Sequence, residues 1–188
     1  MNDLGTLPLE TERLLLRRIT LDDANAMYEN WASDPLVANG AGWPAHKKPE
    51  DTAALVAKWT EAYAKPHTYH WVAVEKSSSK PFGTISGMRV SEKNETCELG
   101  YCFGQAWWNK GYATEAAVAV LRFLLFEAGF FLVECMYRSN NPASGRVMEK
   151  AGMRFEAVLK NRRRDEETGL RSDLIVYTAT RDTWERAL

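Results

Sequence analysis

Gly104-Gln105-Ala106-Trp107-Trp108-Asn109-Lys110-Gly111-Tyr112-Ala113 is the stretch on which the reading of this chain turns. It follows a β-forming run, Thr96 to Phe103. It precedes Ala116, Ala117, Val120, Leu121, Leu124 and Ala128, which recur at the spacing of one helix face until Gly129 stops the helix. A strand therefore feeds a helix through a loop that holds Gly104 and Gly111 and two adjacent tryptophans. The first turn of a helix leaves backbone N–H groups unpaired and carries about half a positive charge, so it receives a phosphate or pyrophosphate without a dedicated cation. Gly111 and Ala113 lack the bulk that would hold an anion away from that backbone. Two other anion loops do not fit. A Walker loop opens its helix with Gly-Lys-Ser/Thr, whereas the order here is Lys110-Gly111-Tyr112 with Thr114 apart from the lysine, and a GxGxxG fingerprint is absent.

Upstream, Leu14 to Ile19 reads as a strand, and Thr20 with Asp23 forms a weak capping box ahead of Ala24, Met27, Tyr28 and Trp31 at helical spacing. Ser33 to Lys48, with Asp34-Pro35, Gly40, Gly42 and Trp43-Pro44, carries turn chemistry without a period and is expected to be a long loop. Pro49 opens a second helix through Leu55, Val56, Trp59, Ala62 and Tyr63, closed by Pro66. Tyr69 to Glu75, Phe82 to Val90 and Thr96 to Phe103 are strands whose short polar connections make antiparallel neighbours. Downstream come a strand at Phe131 to Tyr137, a short helix from Pro142 to Ala151, and a hairpin of Met153 to Leu159 with Asp173 to Tyr177. The order is β α α β β β α β α β β. With no repeat or linker, a single mixed α/β domain is expected over residues 1–188.

Composition narrows the partners. The 188 residues carry 24 Lys plus Arg against 25 Asp plus Glu, a net charge of −1, so bulk charge draws the chain to neither nucleic acid nor an anionic membrane. Met1 to Glu10 lacks the pattern of a secretory signal, and the apolar stretch near Val118 to Val133 is broken by Arg122, Glu127 and Gly129, so a cytoplasmic location is expected. Cys97, Cys102 and Cys135 form no CxxC pair and read as reduced, buried thiols. His46, His67 and His70 lack metal-ligand spacing and read as structural or solvent-facing, so no metal is expected. The unusual count is seven tryptophans, two of them adjacent in the opening loop.

Trp108-Asn109-Lys110-Gly111-Tyr112-Ala113 with Thr114-Glu115-Ala116 resembles the acetyl-CoA pyrophosphate motif Q/R-x-x-G-x-G/A of the GNAT N-acetyltransferases. Three further segments resemble its branch of ribosomal-protein alanine acetyltransferases, the RimJ/RimL type: Thr11-Glu12-Arg13-Leu14 with Leu16-Arg17, then Glu98-Leu99-Gly100-Tyr101, then Asn141-Pro142-Ala143-Ser144 with Arg146 to Met153. The four matches are collinear over nearly the whole chain. The resemblance implies a mostly antiparallel seven-stranded sheet, splayed between its fourth and fifth strands, with about four flanking helices. It also implies that pantetheine lies in the splay along Tyr101, Cys102 and Phe103. Trp108, Asn109, Lys110, Gly111, Tyr112 and Ala113 would take the pyrophosphate, and Asn141 and Ser144 the pantetheine end. Asn141 before Pro142 reads equally as a helix cap. Trp108 replaces the usual Gln or Arg, which removes one side-chain donor from a site built mainly of backbone.

Acetyl transfer to an amine needs a deprotonated nucleophile, a hydrogen bond to the developing oxyanion and a proton for the leaving thiolate. Relatives use a Tyr where this chain has Met148, so Ser144 is the candidate acid, with Tyr101 and Tyr137 behind it. Glu98 is the candidate base, one residue from the register of the family's strand Glu, which falls at Cys97. Direct transfer needs little beyond positioning. An α-amine has a pKa of ~7.7–8.0 against ~10.4 for lysine, so the expected acceptor is a protein N-terminus or a small-molecule amine. The implied co-substrate is acetyl-CoA, and the chain is expected as a monomer or homodimer. A non-catalytic acyl-CoA sensor is the alternative that Met148 raises. Arg162, Arg163 and Arg164 read as a solvated turn balanced by Asp165, Glu166 and Glu167, or as a contact for an acidic acceptor or the 3′-phosphate of CoA.

Overall fold

The computed structural model describes residues 1–164 and 168–184, so Asp165, Glu166 and Glu167 lie outside the described residues. Eight strands form one sheet: β1 (Leu9–Glu10), β2 (Leu14–Arg17), β3 (Tyr69–Glu75), β4 (Lys80–Ser91), β5 (Thr96–Phe103), β6 (Leu132–Arg138), β7 (Arg154–Arg164) and β8 (Arg171–Thr180). Their spatial order is β1-β2-β3-β4-β5-β6-β8-β7. The strand beyond the seven expected is the two-residue β1, too short for a periodic signal. All neighbours run antiparallel except β5 and β6, which a helical crossover joins in parallel.

Among the described residues five α-helices flank the sheet: α1 (Ala24–Met27), α2 (Pro35–Ala41), α3 (Pro49–Ala62), α4 (Tyr112–Arg122) and α5 (Pro142–Lys150). The Thr20–Asp23 capping box is formed, and a tight turn at Leu21–Asp23 leads into α1. Helix α2 corrects the expectation of a loop from Ser33 to Lys48. Asp34, read as a turn residue, accepts from the backbone N–H groups of Leu36 and Val37; Pro35 takes the first helical position; Gly42 ends the helix at φ +84°. The signals of a helix were present, but over seven residues no period develops.

The core has two parts. Trp71, Phe82, Val120 and Leu121 belong to the larger cluster, into which α4 and the sheet pack together with Met148 and Ala151 of α5. Ile19, Met27, Trp31, Val56 and Val72 form a second cluster with α1 and α3. Trp31, Trp71 and Trp184 are fully buried and account for three of the seven tryptophans. Among the described residues no helix is long and apolar enough to cross a membrane.

Where β5 and β6 meet, pairing stops early. Thr96 to Leu99 pair with Leu132 to Cys135, and there the ladder ends, while Gly100 to Phe103 stay paired to β4 and Met136 to Arg138 to β8. The sheet opens between two strands that are each held on their far side.

Candidate active site

The opening loop leaves the end of β5 under tight constraint. A Cβ on Gly104 would meet the Asn30 carbonyl oxygen at 2.3 Å, so only glycine lets the chain pass α1's extension there. Trp107 stacks on Phe82, with ring centroids 5.4 Å apart. Trp108, 42% exposed, donates its indole N–H to the Phe103 carbonyl at 2.7 Å. The indole thus fastens the loop to the strand end. Asn109 and Gly111 both take left-handed backbone, at φ +58° and +82°, and Gly111 precedes α4 with no side-chain cap on the helix. The N–H groups of the first turn of α4 are left for a ligand.

A clamp from the turn between β1 and β2 holds this loop in place. Glu115, in the first turn of α4, accepts from the Thr11 hydroxyl, the Arg13 backbone N–H at 2.9 Å and the Arg13 Nε at 2.6 Å. Arg13 also donates to the Lys110 carbonyl at 2.9 Å. Burial alone would raise the Glu115 carboxyl, but the Thr11 and Arg13 hydrogen bonds prevail and hold it below the usual range. This gives Thr11-Glu12-Arg13 a physical duty that spacing along the chain did not reveal.

A groove of about 540 Å³ runs from this loop into the splay, walled by α2, β5 and α5. Tyr101, Cys102, Phe103, Trp108, Asn109, Gly111, Ala113, Asn141 and Ser144 line it, so nine of the expected cofactor residues come together there. Lys110 and Tyr112 do not line it. The Tyr112 hydroxyl instead donates to Glu75 at 2.6 Å, and its ring lies under the Arg13 guanidinium. Asn141 does not cap α5 with its side chain, contrary to the cap reading; it reaches across to donate to the Gly40 carbonyl of α2 at 3.2 Å.

A second cavity, about 700 Å³, lies on the far side of the splay and meets the groove at Gly40, Ala41, Tyr101, Cys102, Asn141 and Ser144. Glu98 lines it, hydrogen-bonded to Arg89 at 2.5 Å. Cys97, at the register of the family's base, is buried in the core with its thiol pushed up to about 12 by burial, so the strand's acidic group facing the cavity is Glu98. Ser144 Oγ makes no hydrogen bond to the described residues, while the Ser144 carbonyl accepts from the Tyr101 hydroxyl at 2.9 Å. Burial holds the Tyr101 phenol well above its ordinary value, which keeps the proton on the phenol oxygen, donated to that carbonyl, and makes Tyr101 a poor acid. Tyr137 packs where α5 has Gly145, whose Cβ would meet its hydroxyl at 2.8 Å. Met148 is fully buried in the core.

His46, His67 and His70, read from the sequence as structural or solvent-facing, all line this cavity along with Trp43 and Trp59. His70 shares a 2.5 Å hydrogen bond between Nδ1 and Ser86 Oγ and lies against Trp59, 4.3 Å between centroids, and burial pushes its pKa down to about 4. The imidazole is neutral at pH 7. These residues come from α3, the loops on either side of it and β3, and no local spacing marks them.

Comparison with known proteins agrees with this geometry. Residues 13–154 match the model of the acetyltransferase (GNAT) domain. The chain is 26% identical over 152 residues to the uncharacterized N-acetyltransferase YoaA of Bacillus subtilis, covering 81% of this chain and 85% of that protein. It is 22% identical over 159 residues to the [ribosomal protein uS5]-alanine N-acetyltransferase of Escherichia coli, covering 81% of each. The crystal structure of a GNAT-family acetyltransferase from Bacillus anthracis superposes with a TM-score of 0.80 at 27% identity, covering 94% of this chain and 99% of that one.

Proposed function

The chain belongs to the GNAT acetyltransferase family, and from that premise we propose that it transfers acetyl from acetyl-CoA directly to a primary amine, a protein N-terminal α-amine or a small-molecule amine, within a ternary complex. N-acetyltransferase activity and the use of acetyl-CoA come with the family. The observation that carries the finer reading is the meeting of groove and cavity at Tyr101, Cys102, Asn141 and Ser144. A donor in one and an acceptor in the other approach each other there and nowhere else along the two spaces.

The groove suits the donor by its chemistry. Unpaired N–H groups at the start of α4, behind two left-handed loop residues, are a donor set for a pyrophosphate. The side of Gly100 to Phe103 left unpaired by β6, apart from the Phe103 carbonyl that Trp108 occupies, offers backbone donors and acceptors to an extended amide-bearing chain such as pantetheine. When bound, acetyl-CoA supplies the activated acyl group. The chain's own residues then orient and move protons. Glu98 accepts a proton from the acceptor amine, and Ser144 Oγ is the group free to give one to the departing sulfur. Cys102 sits at the junction, but burial pushes its thiol up to about 12, so it holds its proton and is a poor nucleophile for an acyl-enzyme. That favours direct transfer over a covalent intermediate.

The decisive measurement is thiol release from acetyl-CoA in the presence of a panel of amines and N-terminal peptides. Acceleration by at least one acceptor is expected. Tight acetyl-CoA binding with no acceleration by any of them would instead favour a non-catalytic acyl-CoA sensor, the reading that the apolar Met148 keeps open.

A further inference from the structure

Among the described residues three arginines are partly buried: Arg13, Arg17 and Arg138. Arg13 is satisfied by Glu115 and the Lys110 carbonyl, and Arg17 makes two hydrogen bonds to the Asp23 carboxylate, at 2.7 and 2.8 Å. Arg138 has no carboxylate, carbonyl or aromatic ring as partner among the described residues, yet it lines the 700 Å³ cavity. A guanidinium presents five donors in a fixed fork and stays charged at all working pH, and with no anion supplied by the described residues those donors remain open to the cavity.

Its position is defined by the sheet. The parallel register sets Glu98 beside Glu134, so Glu98, Gly100 and Cys102 of β5 share a face with Met136 and Arg138 of β6. Arg138 therefore stands across the splay at the level of Cys102, beside the junction of the two spaces. It lies so close to the end of α2 that a Cβ on Gly42 would meet Nη2 at 2.9 Å. It lines the acceptor cavity and not the groove. The remaining charges of the cavity wall are few. Glu98 is its one carboxylate among the described residues and is already paired with Arg89; Arg163 of β7 adds a second guanidinium; the imidazoles are those of His46, His67 and His70, and the phenols those of Tyr69, Tyr101 and Tyr137. The cavity thus has unspent positive charge close to where the amine must react, and apolar walls at Trp43 and Trp59 beyond it.

We infer that the acceptor is a free α-amino acid with an apolar side chain, its carboxylate held by the Arg138 guanidinium while its amine faces the junction. This deepens the acetyl-transfer reading and rests on it. A carboxylate one carbon from the amine matches a cation placed beside the reacting position, and a planar fork matches a carboxylate with two parallel hydrogen bonds. Arg138 is then a specificity determinant, and a peptide N-terminus, which lacks that carboxylate, is the poorer substrate.

The test is initial-rate kinetics with leucine and phenylalanine, each offered as the free acid, the carboxamide and the decarboxylated amine. The carboxamide has the more readily deprotonated amine, so a preference for the acid reports binding and not nucleophile supply. We expect kcat/KM for the acid to exceed both analogues by roughly 10- to 100-fold, the range of a charged hydrogen-bonded contact. Arg138→Met should abolish that advantage by raising KM for the acid alone, and Arg138→Lys should restore part of it. Acetyl-CoA affinity of both variants, measured by calorimetry, should stay at the parental value and so report an intact fold. Equal rates for acid and analogues overturn the inference. So does a fall in kcat shared by all acceptors in Arg138→Met, which would assign the arginine to the acetyl carbonyl. If no acceptor of either kind accelerates thiol release, the transfer reading fails instead. Titration of leucine and phenylalanine into the acetyl-CoA-loaded protein then decides the inference alone: binding that requires Arg138 sustains it, and absence of binding overturns it.

Discussion

The groove and the cavity on either side of the splay are made of different material. The groove is built mainly of backbone: a helix start, two left-handed residues and an unpaired strand side, with side chains such as Trp108 and Arg13 turned to hold that backbone in shape. The cavity is built of side chains, Trp43, Trp59, His46, His70, Glu98 and Arg138, projected from elements far apart in the chain. A ligand read by backbone is the same for every protein that makes the turn, whereas a ligand read by side chains is particular to one protein. Under the proposed acetyl-transfer reading, the two spaces correspond to a shared donor and an individual acceptor.

The comparison can be broken most directly at the groove. Gly111→Glu forces a β-carbon onto backbone at φ +82° and sets a carboxylate where an anion is to bind. Acetyl-CoA binding by calorimetry should be lost, by about 100-fold or more, a size set by the cost of a left-handed non-glycine residue plus a like charge. Normal affinity would remove the pyrophosphate assignment. At the junction, Ser144→Ala should lower turnover by ~10-fold or more, as removal of a proton donor does, with acetyl-CoA affinity unchanged. Unchanged turnover would take Ser144 out of the acid role.

On the cavity side, His70 sharpens the contrast through pH. Its folded pKa is about 4 against an ordinary 6.5, so between those values the unfolded chain binds the proton more readily. Stability rises with pH through that window and is lost as pH falls through it. His70→Asn should flatten the acid side of the melting-temperature profile between those pH values, and an unaltered slope would mean that His70 titrates normally. The smallest effect belongs to Trp108→Phe. It removes the bond to the Phe103 carbonyl, worth about 0.5–1.5 kcal/mol, and should lower the melting temperature by a few degrees while acetyl-CoA affinity changes little.

The same contrast explains what was legible in the chain. The loop from Gly104 to Ala113 could be read because backbone geometry needs particular small residues in sequence, and the helix after it because Ala116 to Ala128 keep one apolar face. Trp108 was legible as a departure but not in its role, since only the fold brings its indole to the Phe103 carbonyl. Helix α2 was hidden by its length. The histidines, read as structural or solvent-facing, were not gathered into one site, and Arg138 was not singled out, because a cavity wall drawn from β3, β6 and the loops flanking α3 leaves no spacing to count. Glu98 lay between two registers until strand pairing fixed which side of β5 faces the cavity.

The early end of pairing between β5 and β6 also bears on how the free protein behaves in solution. A strand side with unmet N–H and C=O groups is a template for another extended chain, and such edges are where β-proteins self-associate. Here it lines a groove of about 540 Å³ that α2 and α5 also wall. Acetyl-CoA occupying that groove would act as a protective strand, so the loaded protein should withstand heating and high concentration better than the free one, by an amount that grows with the logarithm of ligand concentration.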